Sequence, residues 1–167
     1  MNDALTKQDI KKMQEELDER KFKLRPEIIE EVKRTRAFGD LSENFEYYAA
    51  KREKNKNESR IRYLDRMVRT ANIIDDSSAE DEVGINNTVT VEIVDDHEIE
   101  SYKIVTTIRS NALIGLISIE SPMGKALLGH KVGDRVTVRV DERISYDVII
   151  NDIDKTTDDA EDAIAQY

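Results

Sequence analysis

Two stripes of apolar residues on either side of a glycine turn constrain most strongly what the first half of this chain can fold into. In the first stripe, apolar residues recur three, four or seven positions apart: Ile10, Met13, Leu17, Leu24, Ile28 and Val32. A second stripe with similar spacing runs from Ile61 to Ile74. Such spacing is typical of the narrow seam of a coiled coil. The pattern therefore predicts two long helices that pair as an antiparallel hairpin around Gly39.

The hairpin register follows from the position of the turn. If the turn centres on residues 39–41, Leu17 faces Leu64 and the two stripes meet. Arms of about 30 residues would form a rod roughly 45 Å long. Pro26 cannot donate a helical hydrogen bond, so we expect a kink or break there, with the helix resuming at Glu27.

The turn itself reads Gly39-Asp40-Leu41-Ser42-Glu43-Asn44. Asp40 and Glu43 have the spacing of an N-cap acid and its capping-box partner, so we expect them to begin the second helix. The same spacing lets two carboxylates converge on one cation. Mg²⁺ commonly takes one or two protein carboxylates and completes its shell with water or phosphate. The pair is therefore either a cap alone or also half of a Mg²⁺ site that a partner completes.

Basic residues surround the turn: Lys33, Arg34, Arg36, Lys51, Arg52, Lys54 and Lys56. They suit a phosphodiester substrate, although a solvated helix face with ordinary ion pairs is the plainer alternative. Residues 1–75 carry 18 Lys and Arg against 16 Asp and Glu, whereas residues 76–167 carry 8 against 20. The first half is thus the part expected to meet an anionic partner.

The fold class predicted is α+β. A coiled-coil hairpin (1–75) is followed by a linker (76–82), a small antiparallel β domain with one short helix beginning at Ser121-Pro122 (83–153), and an acidic mobile tail (154–167). The chain lacks cysteine and the common nucleotide-binding and hydrolase motifs, so self-contained catalysis is not expected. No apolar run is long enough to span a membrane. A cytoplasmic monomer is the expectation.

Several segments, in a consistent order, resemble the Gre-type transcript cleavage factors, the GreA/GreB family. They are Arg25-Pro26, residues 39–44, Glu46-Tyr47, Ala49-Ala50-Lys51, Asn72-Ile73-Ile74-Asp75, Val83-Gly84, Ser121-Pro122, Ala126-Leu127-Leu128-Gly129 and Lys131-Val132-Gly133-Asp134. The resemblance implies an FKBP-like second domain that need not be an isomerase. It also implies a hairpin that enters the secondary channel of bacterial RNA polymerase.

By matching position, the resemblance assigns roles to individual residues. Asp40 and Glu43 would help to hold the second catalytic Mg²⁺, so that the polymerase's own site hydrolyses backtracked RNA. Arg36 and Arg52 would contact the extruded RNA 3′ end, and the loop at Ser121-Pro122 would dock at the channel rim. The factor would bind no cofactor stably alone, since the Mg²⁺ is shared with the polymerase.

Two departures and three alternatives accompany this interpretation. Phe45 replaces the family's usual alanine, and Ala37-Phe38 precede Gly39 where more polar residues are expected. A Gre-like regulator could occupy the channel without stimulating cleavage. A prolyl isomerase is disfavoured because only three aromatic residues, all tyrosine, lie beyond residue 76. If the hairpin were only a coiled-coil spacer, substitutions of the tip residues would have no effect in any transcription assay.

Overall fold

The chain folds as two compact units. The computed structural model describes residues 3–39, 44–160 and 162–166. The first unit contains Gln8–Ala71, and the second contains Ala4–Lys7 together with Asn72–Gln166. One unit is helical and the other is built on a sheet. The α+β class predicted from the sequence is therefore confirmed.

The helical unit is the predicted hairpin. Its first arm consists of α1 (Lys7–Glu19), a π-helical turn (Arg20–Leu24) and α2 (Arg25–Arg36), and its second arm is α3 (Phe45–Thr70). Seam residues of both stripes are buried, including Met13, Leu17 and Leu64. The burial follows from the spacing, which places these side chains on one face of each helix.

Polar contacts between the arms fix the register. Arg60 donates two hydrogen bonds to the Glu16 carboxylate, at 2.9 and 3.1 Å. Arg20 donates to the same carboxylate at 2.9 Å and to the Asn57 side-chain oxygen at 2.9 Å. A bidentate pair joins Arg25 to Glu58, at 2.7 and 2.9 Å. These pairs match the predicted antiparallel register and lie where the seam has few apolar residues.

The predicted break at Pro26 is wrong. The chain stays helical, and the irregularity is the π-helical turn that precedes the proline. There the Arg25 N–H donates to the Arg20 carbonyl, five residues back. Pro26 follows as the second residue of α2, and because it has no N–H it cannot donate into the preceding turn, which fits the change in hydrogen-bond pattern there.

The sheet unit contains two sheets. In the smaller, β1 (Ala4–Leu5) pairs in parallel with β2 (Asn72–Ile73). The larger has the order β5-β4-β3-β7-β6. Its strands are β3 (Thr88–Ile93), β4 (Ile99–Val105), β5 (Leu116–Ser118), β6 (Arg135–Arg139) and β7 (Ser145–Asp154).

The larger sheet is mixed, which corrects the prediction of an antiparallel sheet. β4 and β5 are parallel, and its other pairs are antiparallel. The connection between them contains two short 3₁₀ turns, Thr107–Arg109 and Ala112–Ile114. The connection that contains these turns returns the chain toward the start of β4, so that β5 runs in the same direction as β4.

One short helix, α4 (Pro122–Leu127), covers the sheet as predicted. It packs against β6 and β5, and Leu127 is fully buried. The core that it closes consists of side chains from β3, β4, β6 and β7, among them Val89, Val91, Ile104, Val138 and Ile150. Buried residues alternate with more exposed ones along β3 and β6, as expected for a sheet that is covered on one face.

The C-terminal segment is not the free tail that its acidity suggested. The Asp162 carboxylate accepts hydrogen bonds from Lys103 at 2.9 Å and from Arg109 at 2.8 Å. The Ala165 N–H donates to the Ile108 carbonyl at 2.7 Å, and Ile164 is buried. The Arg109 side chain is 0% exposed, so its charge needs a nearby carboxylate, and the tail provides one.

Candidate functional site

The acidic pair of the tip lies outside the described residues. Asp40 and Glu43 belong to the stretch 40–43, and the structure describes the residues on either side of it. Gly39 has φ 97°, a left-handed conformation that glycine adopts without strain. The first arm nevertheless ends earlier, at Arg36, and residues 37–39 form the turn that follows.

The N-cap of α3 is Asn44, so the prediction that Asp40 caps the second helix is wrong. The Asn44 side-chain oxygen accepts the Tyr47 N–H at 3.0 Å. Its amide nitrogen donates to the Thr35 carbonyl on the other arm, at 2.6 Å. A carboxylate could make the first bond but not the second, because it has no hydrogen to donate. The cap therefore also joins the two arms.

The Thr35 carbonyl holds both sides of the tip. It accepts from the Asn44 amide and also from the Phe38 N–H, at 3.2 Å. Thr35 itself is buried, and its hydroxyl donates to the Glu31 carbonyl at 2.9 Å. Phe38 and Asn44, which lie on either side of residues 40–43 in the sequence, are therefore both bonded to one carbonyl of the first arm.

Arg36 and Tyr47 form a second contact between the arms. The Arg36 guanidinium donates to the Tyr47 hydroxyl at 3.3 Å and lies 5.6 Å from the ring centroid. The hydrogen bond from Arg36 lowers the pKa of Tyr47 below its ordinary value. Arg36 remains exposed, so its charge stays available to a ligand.

Arg36 also lines a basic groove beside the tip. The groove has a volume of about 180 Å³ and is lined by Ile29, Val32, Lys33, Arg36 and Lys54. Arg52, the other predicted RNA contact, is exposed on α3 but does not line this groove. The structure thus groups Arg36 with Lys33 and Lys54 in this groove.

Not every basic residue near the tip is available. Arg34 forms a bidentate pair with Glu31, at 2.9 and 2.6 Å, and lies 3.5 Å from Glu46. The hydrogen bond from Arg34 lowers the pKa of Glu31 below its ordinary value. Arg34 is therefore committed to two acids. The groove residue Lys33 makes a looser, exposed pair with Glu30 at 3.6 Å, so the groove still carries positive charge that a phosphate could meet.

The predicted docking loop lies in the sheet unit. The Ser121 hydroxyl accepts the Gly124 N–H at 3.0 Å and donates to the Ser118 carbonyl at 2.6 Å, which makes Ser121 the N-cap of α4. Pro122 is exposed. A Cβ on Gly124 would lie 2.0 Å from the Ser118 carbonyl oxygen. The loop is thus a tight turn that presents Pro122 to solvent.

Asn44 and Thr35 are the site residues that sequence reasoning missed. Asn44 is a preferred N-cap residue directly before a helical stretch, so this signal was present but Asp40 was favoured. The Thr35 carbonyl has no sequence signal, because any residue carries one. Within the described ranges, no three His, Asp or Glu side chains cluster closely enough to hold a metal ion. No helix in those ranges is long and apolar enough to cross a membrane.

Comparison with known proteins adds sequence relationships to this geometry. Transcription elongation factor GreA of Streptococcus gordonii is 45% identical over 153 residues, which cover 91% of this chain and 95% of that protein. GreA of Streptococcus sanguinis is 44% identical with the same coverage. The solved GreA factor homolog 1 protein of Thermus thermophilus is 28% identical and covers 92% of this chain and 99% of that one, with a TM-score of 0.44.

Two family descriptions together match most of the chain. Residues 4–73 match the N-terminal part of the transcription elongation factor family. Residues 78–155 match the C-terminal part of the GreA/GreB transcription elongation factors. The sequence matches thus span both units of the structure. The chain belongs to the GreA/GreB family of transcription elongation factors.

Proposed function

We propose that the chain is a transcript cleavage factor of bacterial RNA polymerase. Its hairpin enters the secondary channel of the polymerase and stimulates the polymerase's own hydrolysis of backtracked RNA, which returns arrested complexes to elongation. Family membership and the relatives named GreA support this proposal. The observation that carries it is that Phe38 and Asn44, which precede and follow the acidic stretch in the sequence, are both anchored to the Thr35 carbonyl.

Asp40 and Glu43 are the catalytic contribution of the chain in this proposal. Their carboxylates provide ligands for a Mg²⁺ ion whose remaining ligands come from the polymerase and the RNA phosphate. A Mg²⁺ ion held there supplies a Lewis acid and a more acidic bound water. Because two carboxylates alone bind Mg²⁺ weakly, the chain holds no metal by itself and is not an enzyme on its own.

The basic residues and the sheet unit have supporting roles in the same proposal. Arg36 and its groove neighbours Lys33 and Lys54 hold the phosphates of the extruded RNA 3′ end, with Arg52 contributing from α3. The loop at Ser121-Pro122 docks at the rim of the channel. The factor acts as a monomer in the cytoplasm, where the polymerase works.

A stalled elongation complex with labelled RNA tests the proposal. The wild-type chain should shorten the RNA from its 3′ side, whereas RNA without polymerase should stay intact. Asp40→Asn and Glu43→Gln keep the shape but remove the charge, and each should slow cleavage roughly 100-fold. Glu53→Gln, which removes an exposed acid from α3, is the matched control and should cleave normally.

The main alternative is a regulator that occupies the channel without stimulating cleavage. It predicts that the wild-type chain binds the polymerase and slows RNA synthesis while the transcript keeps its length. Equal shortening by wild type and Asp40→Asn would also contradict the proposed role of the acids.

A further inference from the structure

All three phenylalanines of the chain lie on the hairpin and are exposed to solvent. Phe22, Phe38 and Phe45 expose 76%, 54% and 83% of their surface. Burial of such a ring is favourable, so leaving two of them in water beside one tip forgoes stabilisation. Phe38 and Phe45 flank the tip residues 39–44, whereas Phe22 lies in the π-helical turn of the first arm.

Phe38 is part of an ordered stack. The Arg34 guanidinium lies over its ring, 5.2 Å from the centroid. The bidentate pair with Glu31 fixes that guanidinium in turn. Since one side of the Phe38 ring meets Arg34 and the residue remains half exposed, the ring is held in place with surface left for another flat group.

Phe45 is held by its backbone. It is the first residue of α3, directly after the Asn44 cap, so its position is set by the bond from the Asn44 oxygen to the Tyr47 N–H. Tyr48, one turn further along α3, is 40% exposed and lies 5.6 Å from the Tyr47 ring, centroid to centroid. Side chains three apart lie on the same side of a helix, so Phe45 and Tyr48 form one aromatic face.

The two flanks lie at the same end of the hairpin. The Thr35 carbonyl accepts from the Phe38 N–H and from the Asn44 side chain, which places both within hydrogen-bond reach of one oxygen. The basic groove with Lys33, Arg36 and Lys54 lies at the same end of the hairpin, on a different face of the first arm from Arg34, on which the Phe38 ring packs. Exposed aromatic rings next to cations are what binding of single-stranded nucleic acid requires, because the rings stack on bases and the cations meet phosphates.

We propose that Phe38 and Phe45 form a stacking platform for the terminal bases of the RNA 3′ end. This inference rests on the proposed function, which brings a single-stranded 3′ end to the tip. The groove cations hold the phosphates, and the rings hold the bases, so the nucleotide beside Asp40 and Glu43 is restrained on two sides. Stacking makes cleavage depend on base identity, since purines offer more ring surface than pyrimidines.

Cleavage kinetics on matched RNAs test the platform. Phe45→Ala and Phe38→Ala should slow cleavage about fivefold to tenfold when the RNA ends in purines, and less when it ends in pyrimidines. Phe45→Trp should restore the rate. Phe22→Ala removes an equally exposed ring from the same hairpin and should behave as wild type. If Phe45→Ala instead raises the factor concentration needed for every RNA alike, the ring contacts the polymerase and the platform is wrong.

Photocrosslinking tests the contact without relying on cleavage. A backtracked complex whose RNA ends in 5-iodouridine should crosslink to Phe45 or Phe38 on irradiation, and the crosslink should disappear in the double variant with alanine at both positions. Crosslinks confined to other residues would overturn the platform. If the wild-type chain fails to shorten RNA, the proposed cleavage function fails, while the crosslink still decides whether the rings meet the RNA.

Discussion

At the scale of single residues, Asn44 shows why an amide is used where an acid would also cap a helix. Its oxygen accepts the Tyr47 N–H and its nitrogen donates to the Thr35 carbonyl. An ionised aspartate could accept the Tyr47 N–H but has no hydrogen to donate to the Thr35 carbonyl. One side chain thus begins the second arm and anchors it to the first, directly beside Glu43.

Substitution of Asn44 should separate these two bonds. Asn44→Ala removes the cap and should speed exchange of the Tyr47 amide about fivefold, because an N-cap contributes about 1 kcal/mol. Asn44→Asp keeps the acceptor, and the Tyr47 amide should stay protected. Amide hydrogen exchange followed by NMR measures both.

Asn111 offers the control for this prediction. It caps the 3₁₀ turn Ala112–Ile114 by accepting the Leu113 N–H, so Asn111→Ala should deprotect Leu113 and leave Tyr47 unchanged. Equal deprotection of Tyr47 in Asn44→Ala and Asn44→Asp would mean that the bond to Thr35, rather than the cap, protects the amide.

The sequence identified the turn at the tip, but it did not show which of its residues caps the second helix. Residue spacing identified the turn around Gly39, and the structure confirms a turn there, with Gly39 in a left-handed conformation. It could not choose between Asp40 and Asn44 as cap, since both are good N-cap residues. The choice depends on a carbonyl nine residues earlier, a contact that only the packed hairpin brings into reach.

At the scale of elements, the hairpin is joined by charged groups where apolar residues are scarce. Burial alone would raise the pKa of Glu16, but hydrogen bonds from Arg60 and Arg20 outweigh it and hold the pKa below its usual value. Arg60 is 4% exposed and depends on this carboxylate. The pair therefore contributes to stability only while Glu16 is ionised.

The hairpin should consequently lose stability in acid. Because the folded pKa of Glu16 is depressed, its contribution is fully present above the unfolded value near pH ~4.3 and is lost as the pH falls through the lower folded pKa. Glu16→Gln should lower the free energy of unfolding by about 1–2 kcal/mol at pH 7 and flatten its dependence on pH in this window. Urea unfolding followed by helical circular dichroism measures the effect.

Glu31→Gln is the matched control for this prediction. Arg34 also lowers the pKa of Glu31, but that pair is exposed to solvent. Exposed pairs contribute little, so the unfolding curve should barely move. A Glu16→Gln variant with the acid profile of wild type would show that the network does not depend on the charge.

The periodicity of apolar residues predicted which segments are helical, but it did not predict the irregular features of the helices and of the sheet. The apolar stripes predicted both arms and their register, since the spacing fixes which side chains meet. The π-helical turn at Arg20–Leu24 was missed because nothing in the spacing distinguishes it from a break near Pro26. The parallel β4–β5 pair was missed because strand direction depends on the path of the connection, which alternation does not encode.

At the scale of the whole molecule, the C-terminal segment belongs to the sheet unit although it lies beyond the family match, which ends at residue 155. Asp162 is 8% exposed and bridges Lys103 and Arg109. More than fifty residues separate it from each of these cations, so the sequence around the segment, which is acidic and small, could only suggest a free tail.

Removal of the Asp162 charge should destabilise the sheet unit. Asp162→Asn leaves the Arg109 and Lys103 charges poorly compensated in a buried site and should cost roughly 2–4 kcal/mol of unfolding free energy. Urea unfolding of the full chain, monitored by hydrogen exchange of the sheet amides, measures this loss of stability. Asp152→Asn removes an exposed carboxylate of β7 and should have little effect. Equal stability of the two variants would mean that the segment does not support the sheet.

The polar contacts between the arms also prevent the two arms from sliding along each other. If one arm slid by a heptad, the tip would move by about 10 Å along the axis. An apolar seam alone tolerates such a shift, because one heptad resembles the next. The pairs of Glu16 with Arg60 and of Arg25 with Glu58 do not, since the shift would separate the buried Arg60 and the partly exposed Arg25 from these carboxylates. Catalytic groups lose activity when displaced by as little as ~1 Å. Charged residues along the hairpin thus fix the position of its tip along the axis.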